Sequence, residues 1–264
     1  MKVRTIALST FGSFLRNKVL ILFCSLFVCI VLLMMTPLLA YKAMTNAANA
    51  QQLQGEILNI VSGVISLVSG FGSLLAAWAA ADSVAGETKS GTILAVMARP
   101  LRRWEFLAGK YLGVLMLMAV YVVAMLCVTI FLAWLGGQRF HTSLWTLLVY
   151  PMVRYAIWAA IAMFLVTLLH PLFVLGIVVV LATLVQVLGA DSSRIPGWIR
   201  HPVHVVLPLT NLLSEDRFLA ITRESAKPFL WTNHAIVLAY GLNYALVCFL
   251  LAVFVFQYRS LTRD

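Results

Sequence analysis

The chain has 264 residues, 62% of them hydrophobic and 11% charged, where globular domains carry roughly 45–50% and about 25%. That balance excludes a water-soluble fold, and a single membrane domain over residues 1–264 is expected. The net charge of +10 is assigned to loops held on the cytoplasmic side of a bilayer, and no nucleic-acid partner is read from it.

In chain order, the first element is an interfacial helix within residues 1–18. Val3, Ile6, Ala7, Phe11, Phe14 and Leu15 gather towards one side, with Lys2, Arg4, Ser9, Ser13 and Arg16 mostly opposite. Such a helix lies in the headgroup plane. Charge-free stretches follow at Val19–Tyr41, Ile57–Ala81, Tyr111–Gln138, Tyr155–Ala190 and Pro228–Tyr258. A hydrocarbon core of about 30 Å needs ~20 helical residues. The fourth stretch is therefore too long for one helix and too short for two with a loop. His170-Pro171 supplies the break, since proline ends the helix before it. That preceding helix then begins near Pro151 and carries Arg154 close to its outer end, where snorkelling accounts for the charge. The fold expected is all-α, with six transmembrane helices near 19–41, 57–81, 112–135, 150–169, 172–189 and 234–256. The first is kept as a span, because its 23-residue apolar run exceeds the ~7–15 residues of a cleaved signal.

The basic residues sort by side. Eleven, from Lys2 to Lys18, Lys89 to Lys110, and Arg259 and Arg263, face four acids, a net +7. The opposite loops hold seven against five, a net +2, and Arg154 remains. Positive-inside ordering then puts both termini in the cytoplasm, and the inner membrane is the expected location.

Two loops have internal structure. In residues 82–110, Ser90 can cap a short helix through Thr92–Ala98, and Pro100 ends it and starts another towards Lys110. In the extracytoplasmic loop 190–233, Val203–Leu213 is apolar but too short to span, and Ser214-Glu215-Asp216 makes a helix start with acids at the positive end of its dipole.

Catalytic chemistry is not indicated. Apart from Arg154 no ionised side chain falls within a span, and paired carboxylates, H-E-x-x-H and G-x-S-x-G are missing. Gly86-Glu87-Thr88-Lys89-Ser90-Gly91-Thr92 begins like a phosphate loop but lacks the lysine after its second glycine. No ATP or Mg site is expected in this chain. Cys24, Cys29, Cys127 and Cys248 lie in apolar runs without a C-x-x-C pair, and His201-x-x-His204 encloses a proline and lacks a third ligand, so no metal is expected.

At residues 82–110 the sequence resembles a known family. Asp82-Ser83-Val84-Ala85-Gly86-Glu87, Gly91-Thr92-Ile93-Leu94, Pro100-Leu101-Arg102-Arg103-Trp104-Glu105 and Gly109-Lys110 follow one another as in the permeases of type-2 ATP-binding-cassette (ABC) exporters. The acidic turn is most similar to the subgroup that includes copper-processing permeases, which by itself implies no copper. Arg102 departs from the pattern, standing where those permeases have a capping Ser or Thr.

The resemblance implies an export permease coupled to a cytosolic ATPase subunit, with two ATPases serving two permease copies, as a homodimer or heterodimer. It implies that the ATPase is met at Glu87, Gly91, Thr92, Pro100, Arg103 and Glu105. A second function stays open, in which the subunit transmits ATPase motion to a periplasmic partner without transporting. Ala76/Ala80 and Ala77/Ala81 are small-residue pairs suited to close helix packing, within the subunit or between subunits.

Overall fold

The computed structural model describes residues 2–44, 50–89, 102–135, 144–190, 207–208, 210–213 and 231–258. These form seven α-helices and one 3-10 turn: α1 Lys2–Leu15, α2 Lys18–Met44, α3 Ala50–Lys89, α4 Arg103–Leu135, α5 Leu144–Leu168, α6 Pro171–Ala190, the turn Thr210–Leu213, and α7 Trp231–Tyr258. No strand occurs among the described residues. To within a residue, each expected span lies inside one of α2 to α7. Helices α3, α4, α5 and α7 are each long and apolar enough to cross a bilayer, and a fifth crossing results if α1 and α2 are one bent span. Helix α6 is apolar over the shorter Pro171–Gln186.

The helices outrun the spans read from hydropathy. Helix α3 has 40 residues, about 60 Å at 1.5 Å per residue, or twice a bilayer core. Hydropathy ends where Gln, Glu and Lys begin, yet these residues propagate a helix well. The loop expected over 82–110 is therefore helical at both ends, to Lys89 and from Arg103. The short helix expected over Thr92–Ala98, the helix start at Ser214 and the His201/His204 pair lie outside the described residues.

Local chemistry sets the breaks. The Asn17 side chain accepts from the Val19 amide at 3.0 Å and so caps α2, after a 63° bend from α1. At the expected His170-Pro171 break, the Leu172 amide reaches the His170 Nδ1 at 3.4 Å, and Pro171 takes the first position of α6, where a missing N–H costs nothing. Pro151 behaves otherwise. It sits inside α5, which starts at Leu144, so the expected helix start at Pro151 is corrected. Proline is tolerated within membrane helices because neighbouring groups satisfy the freed carbonyl.

Helix α5 is the centre. Every residue from Tyr155 to Met163 is buried, as for a helix surrounded on all sides. Helices α3 and α7 pack closely against it, and Ala76, Ala77, Ala80 and Ala81 of α3 are all buried inside the subunit. Those small-residue pairs therefore serve packing within the chain. The outer faces are apolar: Ile21, Leu22, Leu32 and Leu33 of α2, Leu172 and Phe173 of α6, and Leu246, Leu250 and Phe254 of α7 are exposed. Contiguous apolar surface on this scale needs lipid or a partner as solvent. Cys24, Cys29 and Cys127 are exposed and Cys248 is half-buried, all as free thiols.

Candidate functional site

The site is the end of the bundle where α3 finishes, α4 begins and α7 finishes. Of the residues expected there, Glu87 falls in the last turn of α3, and Gly91, Thr92 and Pro100 lie outside the described residues. Arg103 and Glu105 are both described, and each is engaged within the chain.

Glu105 turns back on its own helix. Its Oε2 accepts from the Arg102 amide at 3.0 Å, and the Arg102 carbonyl accepts from the Glu105 amide at 2.9 Å. This is one half of a capping box, with Arg102 as N-cap and the carboxylate also facing the positive end of the dipole. The reciprocal half is missing because a guanidinium has no acceptor. Arg102→Ser should restore it and stabilise the start of α4 by about 1 kcal/mol. Hydrogen exchange at the amides of Glu105 and Phe106 reports the gain as slower exchange, whereas Glu105→Ala should speed it.

Arg103 reaches across the bundle. Its Nη1 donates to the Gln257 carbonyl at 2.8 Å and the Phe256 carbonyl at 3.4 Å. These are final-turn carbonyls of α7, which lack partners in their own helix and carry the negative end of its dipole. Below this clamp the Phe106 and Phe256 rings stack with centroids 6.2 Å apart, and the buried Lys110 holds its Nζ 5.6 Å from the Phe106 centroid.

Helix α1 docks along α4. A Cβ on Gly109 would meet the Ile6 Cβ and Cγ2 at 2.7 Å, and one on Gly113 would meet the Thr10 Cβ at 2.7 Å and the Ala7 carbonyl at 3.0 Å. Two glycines four apart thus form a groove in α4 that only a side chain of one hydrogen leaves open. Ala7, Thr10 and Phe14 are buried in consequence. The turn after α1 is tied to α3, where the Asn17 Nδ2 donates to the Asp82 Oδ2 at 3.3 Å.

Further along α4, the Tyr111 hydroxyl donates to the Ala156 carbonyl of α5 at 3.0 Å and the Tyr121 hydroxyl to the Val68 carbonyl of α3 at 2.7 Å. Helix α4 is thereby fastened to α1, α3, α5 and α7. Among the described residues, no three His, Cys, Asp or Glu side chains gather to hold a metal.

The family model for ABC-2 family transporter proteins matches residues 4–261. The chain belongs to the ABC-2 transporter family. No curated protein matches it. It is therefore the permease subunit of an ABC transporter, a multi-pass membrane transport component that is not itself catalytic. ABC-2 membrane domains work in the lipid bilayer with a cytosolic ATPase subunit. In this ABC-2 permease, Arg103 and Glu105, the two described residues of α4 expected at that partner, also make bonds within the chain. The docking groove went unread, although Gly109-x-x-x-Gly113 stands in the sequence as a small-residue pair.

Proposed function

We propose that this permease is an exporter that crosses the inner membrane six times, with both termini in the cytoplasm. Residues 1–18 lie in the headgroup plane, and residues 190–233 face outward. Two copies, identical or paired with a related chain, work with two ATPase subunits that bind ATP and Mg. Each ATPase meets the stretch from the end of α3 to the start of α4 at Glu87, Gly91, Thr92, Pro100, Arg103 and Glu105. The acidic turn from Asp82 to Glu87 supports a place beside the copper-processing subgroup, and copper is not inferred from that alone.

The observation that carries this reading is the fastening of α4. ATP closes the ATPase dimer, and the load enters at the segment before Arg103. The Arg103 clamp, the Gly109/Gly113 groove and the tyrosine bonds distribute it to α7, α1, α5 and α3 as a rigid-body movement. The pathway between the two permeases then opens outward to release a lipid, drug, peptide or similar amphiphile.

Affinity purification of the full chain in mild detergent tests this. A nucleotide-hydrolysing subunit should copurify, the chain alone should hydrolyse no ATP, and substrate amphiphiles should stimulate the reconstituted pair. Hydrolysis by the isolated chain would overturn the reading. A copurifying periplasmic protein, together with ATPase activity indifferent to every amphiphile, would replace export by force transmission through residues 190–233.

A further inference from the structure

Arg154 was expected near a membrane interface with its head turned to water. In the structure the head turns inward to α3. Arg154 lies ten residues after Leu144 and fourteen before Leu168, about 15 Å and 21 Å from the two ends of α5. Its Nη2 donates to the Ser69 hydroxyl of α3, itself fully buried. Its Nε is enclosed and has no hydrogen-bond partner among the described residues. The guanidinium carbon sits 5.7 Å from the centroid of Tyr155.

The surroundings are built. Gly72, one turn beyond Ser69, has no room for a Cβ, which would fall 2.5 Å from the rings of both Tyr121 and Tyr155. Those rings meet edge-on at 5.9 Å, and Tyr121 is bonded to the Val68 carbonyl beside Ser69. The aromatic pair and Ser69 therefore hold one polar locus between α3, α4 and α5, and Arg154 is its charge.

A guanidinium charge packed inside a bundle is costly to leave without an opposite charge. A neutral hydroxyl and a ring face offset only part of the cost of burying it. Its residue is only partly buried, so part of the donor fork can be reached from outside the packed core. With Nε enclosed and Nη2 on Ser69, the remaining N–H groups can donate charge-assisted bonds to a phosphate or carboxylate oxygen.

We propose that Arg154, with Ser69 and Tyr155, forms an anion-binding site inside the bundle that takes the phosphate or carboxylate head of an amphiphile, its tail lying along the apolar helices. The site's meaning as a substrate site rests on the export reading, while its existence as a binding site does not. The head could belong to a bilayer lipid or to a transported amphiphile, and the two sources are separable.

The experiment uses the purified full chain in phosphatidylcholine nanodiscs and follows the unfolding temperature by intrinsic fluorescence. Dodecyl phosphate should raise it saturably, and dodecyltrimethylammonium should not. Arg154→Gln should weaken the apparent affinity for dodecyl phosphate about tenfold or more. Arg4→Gln, an exposed charge on α1, should leave it unchanged. In discs containing phosphatidylglycerol, a right-shifted titration means the lipid itself fills the site, and an unshifted one assigns it to the added amphiphile. Either supports an anion site. Equal stabilisation by the cation, an unchanged affinity in Arg154→Gln, or no saturable shift would overturn it. Should Arg154→Gln fail to fold, a diazirine-bearing alkyl phosphate on the unaltered chain decides: labelling within residues 144–168 supports the site, and labelling only elsewhere sinks it. ATPase copurification does not depend on this result, so the site can fail while the permease reading stands.

Discussion

Arg103→Ala should loosen the last turn of α7 and lower the amount of ATPase recovered with the permease, while the protein still reaches the membrane. The side chain supplies a charge-assisted hydrogen bond to helix-end carbonyls, an interaction worth about 1–2 kcal/mol where a cation meets a helix C-terminus at partial exposure. That is a small part of the stability of a bundle held by α5, so insertion and expression persist. It is large for one helix end, because the Phe256 and Gln257 carbonyls have no helical successors to bond them. Hydrogen exchange over residues 254–258 should quicken severalfold. Arg103→Lys keeps the charge but loses the planar fork, so it should fall between. The two readouts separate two roles. Faster exchange with less ATPase means that Arg103 acts by fixing α7 against α4. Unchanged exchange with less ATPase means that it touches the ATPase directly. If neither changes, the clamp has no part in coupling. Arg217→Ala and Arg223→Ala, in the 190–233 segment, should leave ATPase recovery alone.

How far the sequence reveals this architecture depends on the kind of force involved. Span positions are legible because hydration of apolar side chains is a local property, read residue by residue. The His170-Pro171 break is legible for the same reason, since proline acts on its own backbone and on its immediate neighbour. Pro151 has the same covalent chemistry and yet continues a helix, because the tertiary surroundings decide whether a freed carbonyl is tolerated. The helix end at Lys89 is hidden because polar residues stop a hydrophobic run without stopping a helix, whereas the start of α4 at Arg103 falls on the helix read from Pro100 towards Lys110.

The site is legible only in part for a related reason. The family pattern marked Arg103 and Glu105 as important, and it could not say to what they are bonded. Arg103 finds its carbonyls more than 150 positions along the chain, a distance that no local motif encodes. Arg154 was given the commonest fate of a membrane arginine, but its rotation towards Ser69 is set by how α3 meets α5. The alanine pairs of α3 were read as two open possibilities, and burial within the subunit chose between them.

Gly109→Val combined with Gly113→Val should release α1 from α4 and abolish coupling, the largest effect expected outside α5. Even a bare Cβ at Gly109 lies 2.7 Å from the Ile6 side chain and 3.2 Å from the Val3 carbonyl. Among the opposing atoms are the Ile6 Cβ and a backbone oxygen, which cannot rotate away, so the helices must separate. Overpacking of this kind costs about 1–3 kcal/mol per site, and α1 has only the burial of Ala7, Thr10, Phe14 and their neighbours to set against two such sites. Release is measured by trypsin: Arg4 is exposed but held within a helix, and cleavage after it should accelerate once α1 undocks and frays. Gly12→Ala is the control, since nothing lies within 4 Å of the Cβ it adds. On helix propensity alone it should strengthen α1 by up to ~1 kcal/mol and slow cleavage. Ile6→Gly placed on Gly109→Ala moves the small residue to the opposite helix and should recover part of the protection. If the double valine variant keeps α1 as resistant as the parent, close packing in the glycine groove does not hold the N-terminal helix. If α1 is released and ATPase recovery is unaffected, the load passes through α4 and α7 without it.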